Sequence, residues 1–230
     1  ESDMTPGLAN KLCIPMAKKI CVNFPETMKY LPEDKAVLTG TPIREELFKG
    51  NKLAGLDFCG FTANKPVIMI VGGSTGAAAL NTAVRDLLPT LLRDYQIIHL
   101  CGKGKAAEEY NHTEGYRQFE YISNEMKDLF AAADLVVSRA GANSICELLA
   151  LRKPHILIPL SAAASRGDQI LNAASFAEQG FSIVINEVCA NNKTIIKEAL
   201  YAGSDYIELY NASNEEVSLH GWYISDDESD

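Results

Sequence analysis

At 230 residues, 47% of them hydrophobic, the chain is long enough for one large domain or two small ones and apolar enough to bury a core. Its net charge of −9 is uneven: residues 186–230 hold ten acids against two lysines, a net of −8, which leaves −1 for residues 1–185. A near-neutral body with an acidic tail excludes the basic footprint of a nucleic-acid binder, and no apolar run is long enough to cross a bilayer.

The chain opens on Glu1-Ser-Asp-Met-Thr-Pro-Gly-Leu8, which reads as the interior of a longer protein and has no signal-peptide pattern. A first strand is expected over Ile20–Phe24. Thr39-Gly-Thr-Pro-Ile-Arg44 is a turn with one arginine, suited either to the surface or to a phosphate. Val67–Val71 is an apolar strand that feeds Gly72-Gly-Ser-Thr-Gly76, and a helix is expected over Leu80–Arg93. A glycine-rich turn lets backbone amides approach a phosphate, and the helix N-terminus behind it favours negative charge. The spacing matches neither the dinucleotide fingerprint nor a Walker A loop, since no Gly-Lys-Ser/Thr follows. The residues alone leave two readings open: a phosphate or diphosphate site of another kind, or a strand–turn–helix with glycines for packing.

Strands are next expected over Ile97–Cys101, Phe119–Ile122, Leu135–Ser138, His155–Pro159 and Ser182–Ile185, with helices over Asn124–Ala132, Ser144–Leu151 and Asp168–Gln179. Short apolar strands alternating with helices imply a parallel sheet covered on both faces, with ligands at the carboxyl ends of the strands. A second turn, Ser138-Arg-Ala-Gly-Ala-Asn-Ser144, has small residues that leave amides accessible at another helix start. Glu147, about one turn into that helix, suits either the two vicinal hydroxyls of a ribose or the helix dipole. A third patch, Arg166-Gly-Asp-Gln-Ile-Leu-Asn172, puts Gln169 and Asn172 on one helical face, fit to read sugar hydroxyls or to be a solvated helix start with Asp168 near the cap.

The six cysteines contain no Cys-x-x-Cys pair, and neither they nor the four histidines have metal-ligand spacing. Free thiols in a reducing compartment follow, and with no signal peptide the expected location is the cytoplasm. No Ser–His–Asp or Cys–His set is apparent. From residue 186 helix patterning stops, and Tyr206–Tyr210 and Val217–Ile224 alternate as strands around a turn at Asn211–Asn214.

As an ordered set, Gly72-Gly-Ser-Thr-Gly-Ala77, Tyr121-Ile-Ser-Asn-Glu-Met126, Ala133-Asp-Leu-Val-Val-Ser-Arg-Ala-Gly-Ala142, Glu147 and Gly167-Asp-Gln-Ile-Leu-Asn172 resemble the C-terminal half of the MurG family. That family transfers N-acetylglucosamine (GlcNAc) from UDP-GlcNAc to lipid I, inverting the anomeric centre, in peptidoglycan synthesis. The resemblance spans residues 1–184. It implies the C-terminal domain of a GT-B glycosyltransferase: an α/β, Rossmann-like parallel sheet with helices on both faces, here followed by a short β-rich segment. Residues 1–45 would be the end of an N-terminal domain and the crossover, 46–184 the UDP-sugar domain, and 185–230 a separate segment resembling the opening strands of a lamin-tail-type domain.

The resemblance also implies roles. Gly73 and Ser74 face the diphosphate, with Arg44 near it. Ile122 offers backbone contacts to the uracil and Met126 lines its side. Ala142 and its neighbours give amides to the phosphate and sugar, Glu147 holds the ribose, and Gln169 and Asn172 read the GlcNAc. Asn143 and Asp168 fall within the pattern. No metal and no cofactor are implied. The family's acceptor site, catalytic base and membrane-contacting patch belong to its N-terminal domain, so no catalytic residue is assigned, and association with the inner face of the plasma membrane follows only from the resemblance. Two alternatives remain at this point: another UDP-GlcNAc enzyme such as an epimerase, and a non-catalytic interaction protein acting through its acidic β tail.

Overall fold

The computed structural model describes residues 1–73, 78–160, 167–189 and 206–210. Its centre is a seven-stranded sheet. The strands are β3 (Val67–Val71), β4 (Gln96–Leu100), β5 (Tyr116–Phe119), β6 (Leu135–Ser138), β7 (His155–Leu157), β8 (Ile183–Cys189) and β9 (Tyr206–Tyr210), and two short strands precede them, β1 (Ile20–Val22) and β2 (Ala36–Leu38). The sheet order is β5-β4-β3-β6-β7-β8-β9. All neighbours are parallel except β8 and β9, which are antiparallel.

The continuous apolar run of β3 serves two cores, because successive side chains point to opposite faces. Val67 and Met69 join Ile98, Leu100 and Val136 on one face, beneath α2 (Lys52–Cys59), α4 (Met126–Ala132) and part of α5 (Ala142–Ala150). Ile68 and Ile70 join Ile97 and Tyr116 on the other, beneath Leu80, Val84 and Leu88 of α3 (Ala78–Asp94). A third cluster seats α5 and α6 (Asp168–Glu178) through Ile145, Ala173 and Ala177 onto Leu157 of β7 and Val184 of β8.

The chain winds from β3 outward through β4 and β5, then returns to place β6 on the other side of β3. The topological switch point therefore lies between β3 and β6, where such sheets open a crevice at the strands' carboxyl ends.

Residues 1–45 add α1 (Leu8–Cys13) and a parallel pair of β1 with β2. They lean on α6: the Phe24 and Phe176 rings lie 5.4 Å apart, and Ser175 donates to Glu26 at 3.1 Å.

The structure shifts several expected elements. The strand expected at Phe119–Ile122 is β5, three residues earlier, because Tyr116 is fully buried while Tyr121 is 79% exposed. Arg117 and Gln118 had hidden it, but their polar ends turn out to bond the Thr113 and Ala107 carbonyls. Helix α2 was not expected. It is eight residues long with a glycine in its middle, capped by Asn51, which accepts from Ala54 N–H at 3.0 Å, and ended by Gly60 at φ +65°. Tyr206–Tyr210 is a strand as expected, whereas Val217–Ile224 lies outside the described residues. The five cysteines with described side chains are free.

One buried polar network carries a prediction. His99 of β4 sits between Tyr116 (Nδ1 to OH, 2.8 Å) and Asn81 of α3 (Nε2 to Oδ1, 3.0 Å). Asn81 donates its amide to Cys101 O, so its Oδ1 faces the ring. His99 is therefore neutral, donating from Nε2 and accepting from the tyrosine. Burial, helped by the charge of Arg85, pushes it down from 6.5 to about 4. Between those values the unfolded chain binds the extra proton, so stability rises with pH through this window and is complete above 6.5. Lowering the pH from 7 to 5 should cost about 2 kcal/mol, at 1.36 kcal/mol per pH unit below 6.5. Denaturant melts at those two values check it; most of this window lies above the carboxylate range, and an unchanged midpoint would refute it.

Candidate functional site

Two turns leave the sheet on either side of the switch point. The first follows β3. Gly72 is buried and its N–H donates to Leu100 O at 3.3 Å, which ties the turn to β4. Gly73 is exposed at φ +86°, and a Cβ placed there would meet nothing within 4 Å. Glycine is needed for the backbone angle and not for room. Ser74 lies outside the described residues.

The second turn follows β6. Arg139 N–H donates to Val71 O at 3.3 Å, so the two turns are bonded across the switch point. Gly141 is extended at the head of α5, and the first helical bond runs from Ile145 N–H to Gly141 O. The amides of Ala142, Asn143 and Ser144 precede that bond and are left for a ligand or water. Ala142 is buried and Asn143 exposed. No acid occupies the first turn of α5, so no side chain of that turn offsets the positive end of its dipole.

Glu147 lies in the second turn of α5, half-buried at 22% side-chain exposure. Arg44, 103 residues earlier, donates to it from Nε at 3.2 Å and Nη2 at 3.1 Å. Both bonds fall on Oε1, and among the described residues Oε2 has no partner. Arg44 was expected near the diphosphate, and its guanidinium sits on the carboxylate expected to hold a ribose. Ile122 and Met126 are half-buried, with side chains on the core cluster beneath α4.

The third patch divides. Gln169 is half-buried, and its Oε1 accepts from Leu160 N–H at 3.1 Å, which steadies the chain just after β7. Asp168 heads α6 and accepts from Thr5 at 3.1 Å. Asn172 was expected on the ligand side with Gln169, but it is fully buried, donating to Ala140 O and to Asp3, each at 3.3 Å. It braces the second turn from behind because the α6 face that carries it packs against that turn.

Arg139 lies within the Ala133–Ala142 motif, where the resemblance implies no role for it. Its guanidinium donates to Ile158 O at 3.1 Å and Pro159 O at 3.3 Å, and so ties the β6 turn to the end of β7. Burial lowers its pKa. A cation within an apolar strand–turn stretch was the available signal.

The assembly offers amides and a helix dipole to an anion, a half-buried carboxylate to a diol, and polar side chains beyond. Among the described residues no group of His, Cys, Asp and Glu has metal-binding geometry, and no helix is long and apolar enough to cross a membrane.

The profile of the glycosyltransferase family 28 C-terminal domain matches residues 67–219. The chain belongs to this family. The UDP-N-acetylglucosamine--N-acetylmuramyl-(pentapeptide) pyrophosphoryl-undecaprenol N-acetylglucosamine transferase of Lachnoclostridium phytofermentans is 66% identical over 94% of the chain and 61% of its own length. The like-named protein of Clostridium novyi is 56% identical over 93% and 61%. The chain thus spans about three fifths of the relatives it matches. The crystal structure of Acinetobacter baumannii MurG superposes with a TM-score of 0.55 at 28% identity, over 80% of this chain and 50% of that one. The kitacinnamycin glycotransferase has the same TM-score at 17% identity and shares the fold alone. The Rossmann-like sheet expected for a GT-B glycosyltransferase domain is therefore present. The family 28 match continues past residue 185 to 219, which leaves the lamin-tail likeness without support.

Proposed function

We propose that residues 46–184 form a UDP-GlcNAc-binding domain, with residues 1–45 as the approach from an acceptor-binding domain. The whole enzyme would transfer GlcNAc with inversion to lipid I. The observation that carries this reading is the pair of bonded turns at the switch point, with the open N-terminus of α5 beside them and Glu147 one turn further on. The name borne by the close relatives supports the choice of donor and acceptor.

In this reading Gly73, Ser74 and the amides at Ala142 and Asn143 meet the diphosphate, with Arg44 alongside. Glu147 accepts the two ribose hydroxyls on Oε2 while Arg44 holds Oε1. Ile122 and Met126 border the uracil. Asp168 and Gln169 border the sugar, and Asn172 keeps Ala140 and the second turn in place. The acceptor hydroxyl attacks C1 from the face opposite the diphosphate, the C1–O bond breaks, and its electron pair leaves with UDP. Fixed amides and a helix dipole stabilise the charge that grows there. The proton of the acceptor hydroxyl passes to a base outside this domain. An acceptor with an undecaprenyl tail sets the reaction at a membrane surface, so the enzyme acts in the cytoplasm, peripheral to the inner face of the plasma membrane.

Calorimetric titration of the chain with UDP-GlcNAc, UDP and ADP tests the donor site. Saturable binding that prefers the uracil nucleotides is expected. A folded chain that takes up none of the three would overturn the proposal.

A further inference from the structure

The turn after β4 has no part in the reading above. Cys101-Gly-Lys-Gly-Lys105 leaves the sheet directly beside Gly72 and Gly73, since Val71 pairs with Leu100 and Gly72 N–H donates to Leu100 O. Gly102 and Gly104 adopt φ of +92° and +68°, and Lys105 N–H closes onto Gly102 O at 3.1 Å. The result is a tight turn with Lys103 exposed at its tip.

That turn is clamped from behind. Arg85 of α3 donates to Lys105 O at 2.6 Å and to Gln118 Oε1 at 3.1 Å. Gln118 also accepts from Ala107 N–H and donates to Ala107 O, which fixes the far end of the loop. Among the described residues the ion pairs are Arg44–Glu147 and Lys52–Asp134, so neither Arg85 nor Lys103 has a carboxylate partner. Arg85 is half-buried, with carbonyls, an amide and the Tyr110 ring around it. Its charge is left to act on the turn and on whatever binds beside it. A tied-down backbone, an exposed lysine and a guanidinium with no carboxylate ion-pair partner among the described residues place positive charge at the edge of the Gly72–Gly73 turn.

We propose that Lys103 is a phosphate contact: its ammonium meets the diphosphate of a nucleotide held at the Gly72–Gly73 turn, with Arg85 reinforcing the field. This rests on the nucleotide reading above. Adjacent strands lie about 4.8 Å apart, within reach of a lysine's four-carbon stem. Because the electron pair of the breaking C1–O bond stays on the diphosphate, a fixed cation there favours the transition state over the ground state.

The test titrates the 230-residue chain and its Lys103→Gln and Lys103→Arg variants with UDP and with uridine. Lys103→Gln should weaken UDP about tenfold and leave uridine within about twofold, while Lys103→Arg keeps UDP affinity. A UDP affinity unchanged in Lys103→Gln would overturn this proposal alone, as would an equal loss for both ligands, which would mean a disturbed fold. An unaltered chain that binds neither ligand would overturn the nucleotide reading with it.

Discussion

Glu147→Ala is expected to weaken UDP binding about a hundredfold, about 2.7 kcal/mol, while the protein stays folded. A half-buried carboxylate that accepts two hydroxyl bonds has charge-assisted partners, and each such bond contributes about 1.5–3 kcal/mol. Its loss should hardly touch stability. The Arg44 side chain is 55% exposed, and an ion pair so open to water is worth at most about 1 kcal/mol. The role is separable from a general disturbance by pairing the mutation with a ligand that lacks the diol. In the unaltered chain, 2′,3′-dideoxy-UDP should bind about as poorly as UDP binds the mutant. In Glu147→Ala, removing the diol should cost little more, because the two changes delete the same contact. Calorimetry on the four combinations measures this, and additive losses would rule out the ribose contact.

The largest effect on stability is expected at Gly55. It lies inside α2 where that helix crosses α4, and an added Cβ would overlap the Asp128 carbonyl and touch Ala132 Cβ. Alanine is the better helix former by about 1 kcal/mol, so propensity alone favours Gly55→Ala. The overlap is with backbone, which no side-chain rotation relieves, and it must push the two helices apart over Leu56, Leu129 and Ala132 of the core. Overpacking of this kind costs about 1–3 kcal/mol and more where the obstacle cannot move. A net loss of about 3 kcal/mol should lower the melting temperature by about 6–12 °C in a chain of this size. Leu53→Ala, on the same helix but 71% exposed, should stay within about 0.5 kcal/mol. Thermal melts of both variants decide it, and a melting temperature of Gly55→Ala equal to the parent's would show that this glycine does not set the helix spacing.

Much of the architecture is legible along the chain, because it rests on local rules. Val67–Val71 is apolar at every position, which a strand buried on both faces requires, and Gly73 after it marks where the backbone must turn with positive φ. The small residues at 140–142 announce a second turn, in which Gly141 is extended. Helices α3 to α6 follow from the 3.6-residue spacing of their apolar positions, to within two residues at each end. What stays hidden is whatever depends on partners far apart in sequence. Helix α2 is short and weakly patterned, and it is held by its fit against α4, while β5 is set by Tyr116 reaching His99 across the sheet. The switch point exists only once β6 has crossed to the far side of β3.

The site divides in the same way. Composition and spacing identify residue types suited to a nucleotide sugar: glycine turns, a carboxylate one turn into a helix, an amide pair at i, i+3. They do not say which of these face a ligand. Packing turned Asn172 inward to brace Ala140 while Gln169 stayed partly open, although both lie on one stretch of helix. Tertiary structure also brought Arg44 to Glu147 across 103 residues and left Arg85 with no carboxylate ion-pair partner among the described residues. Sequence by itself determined most strands of the sheet, the two glycine-bearing turns and the approximate starts of α3 to α6, since those depend on φ, side-chain alternation and neighbouring residues. Only the folded chain decided which polar groups are buried, paired or left facing the crevice, because that balance of desolvation and partnership is struck between segments the sequence keeps apart.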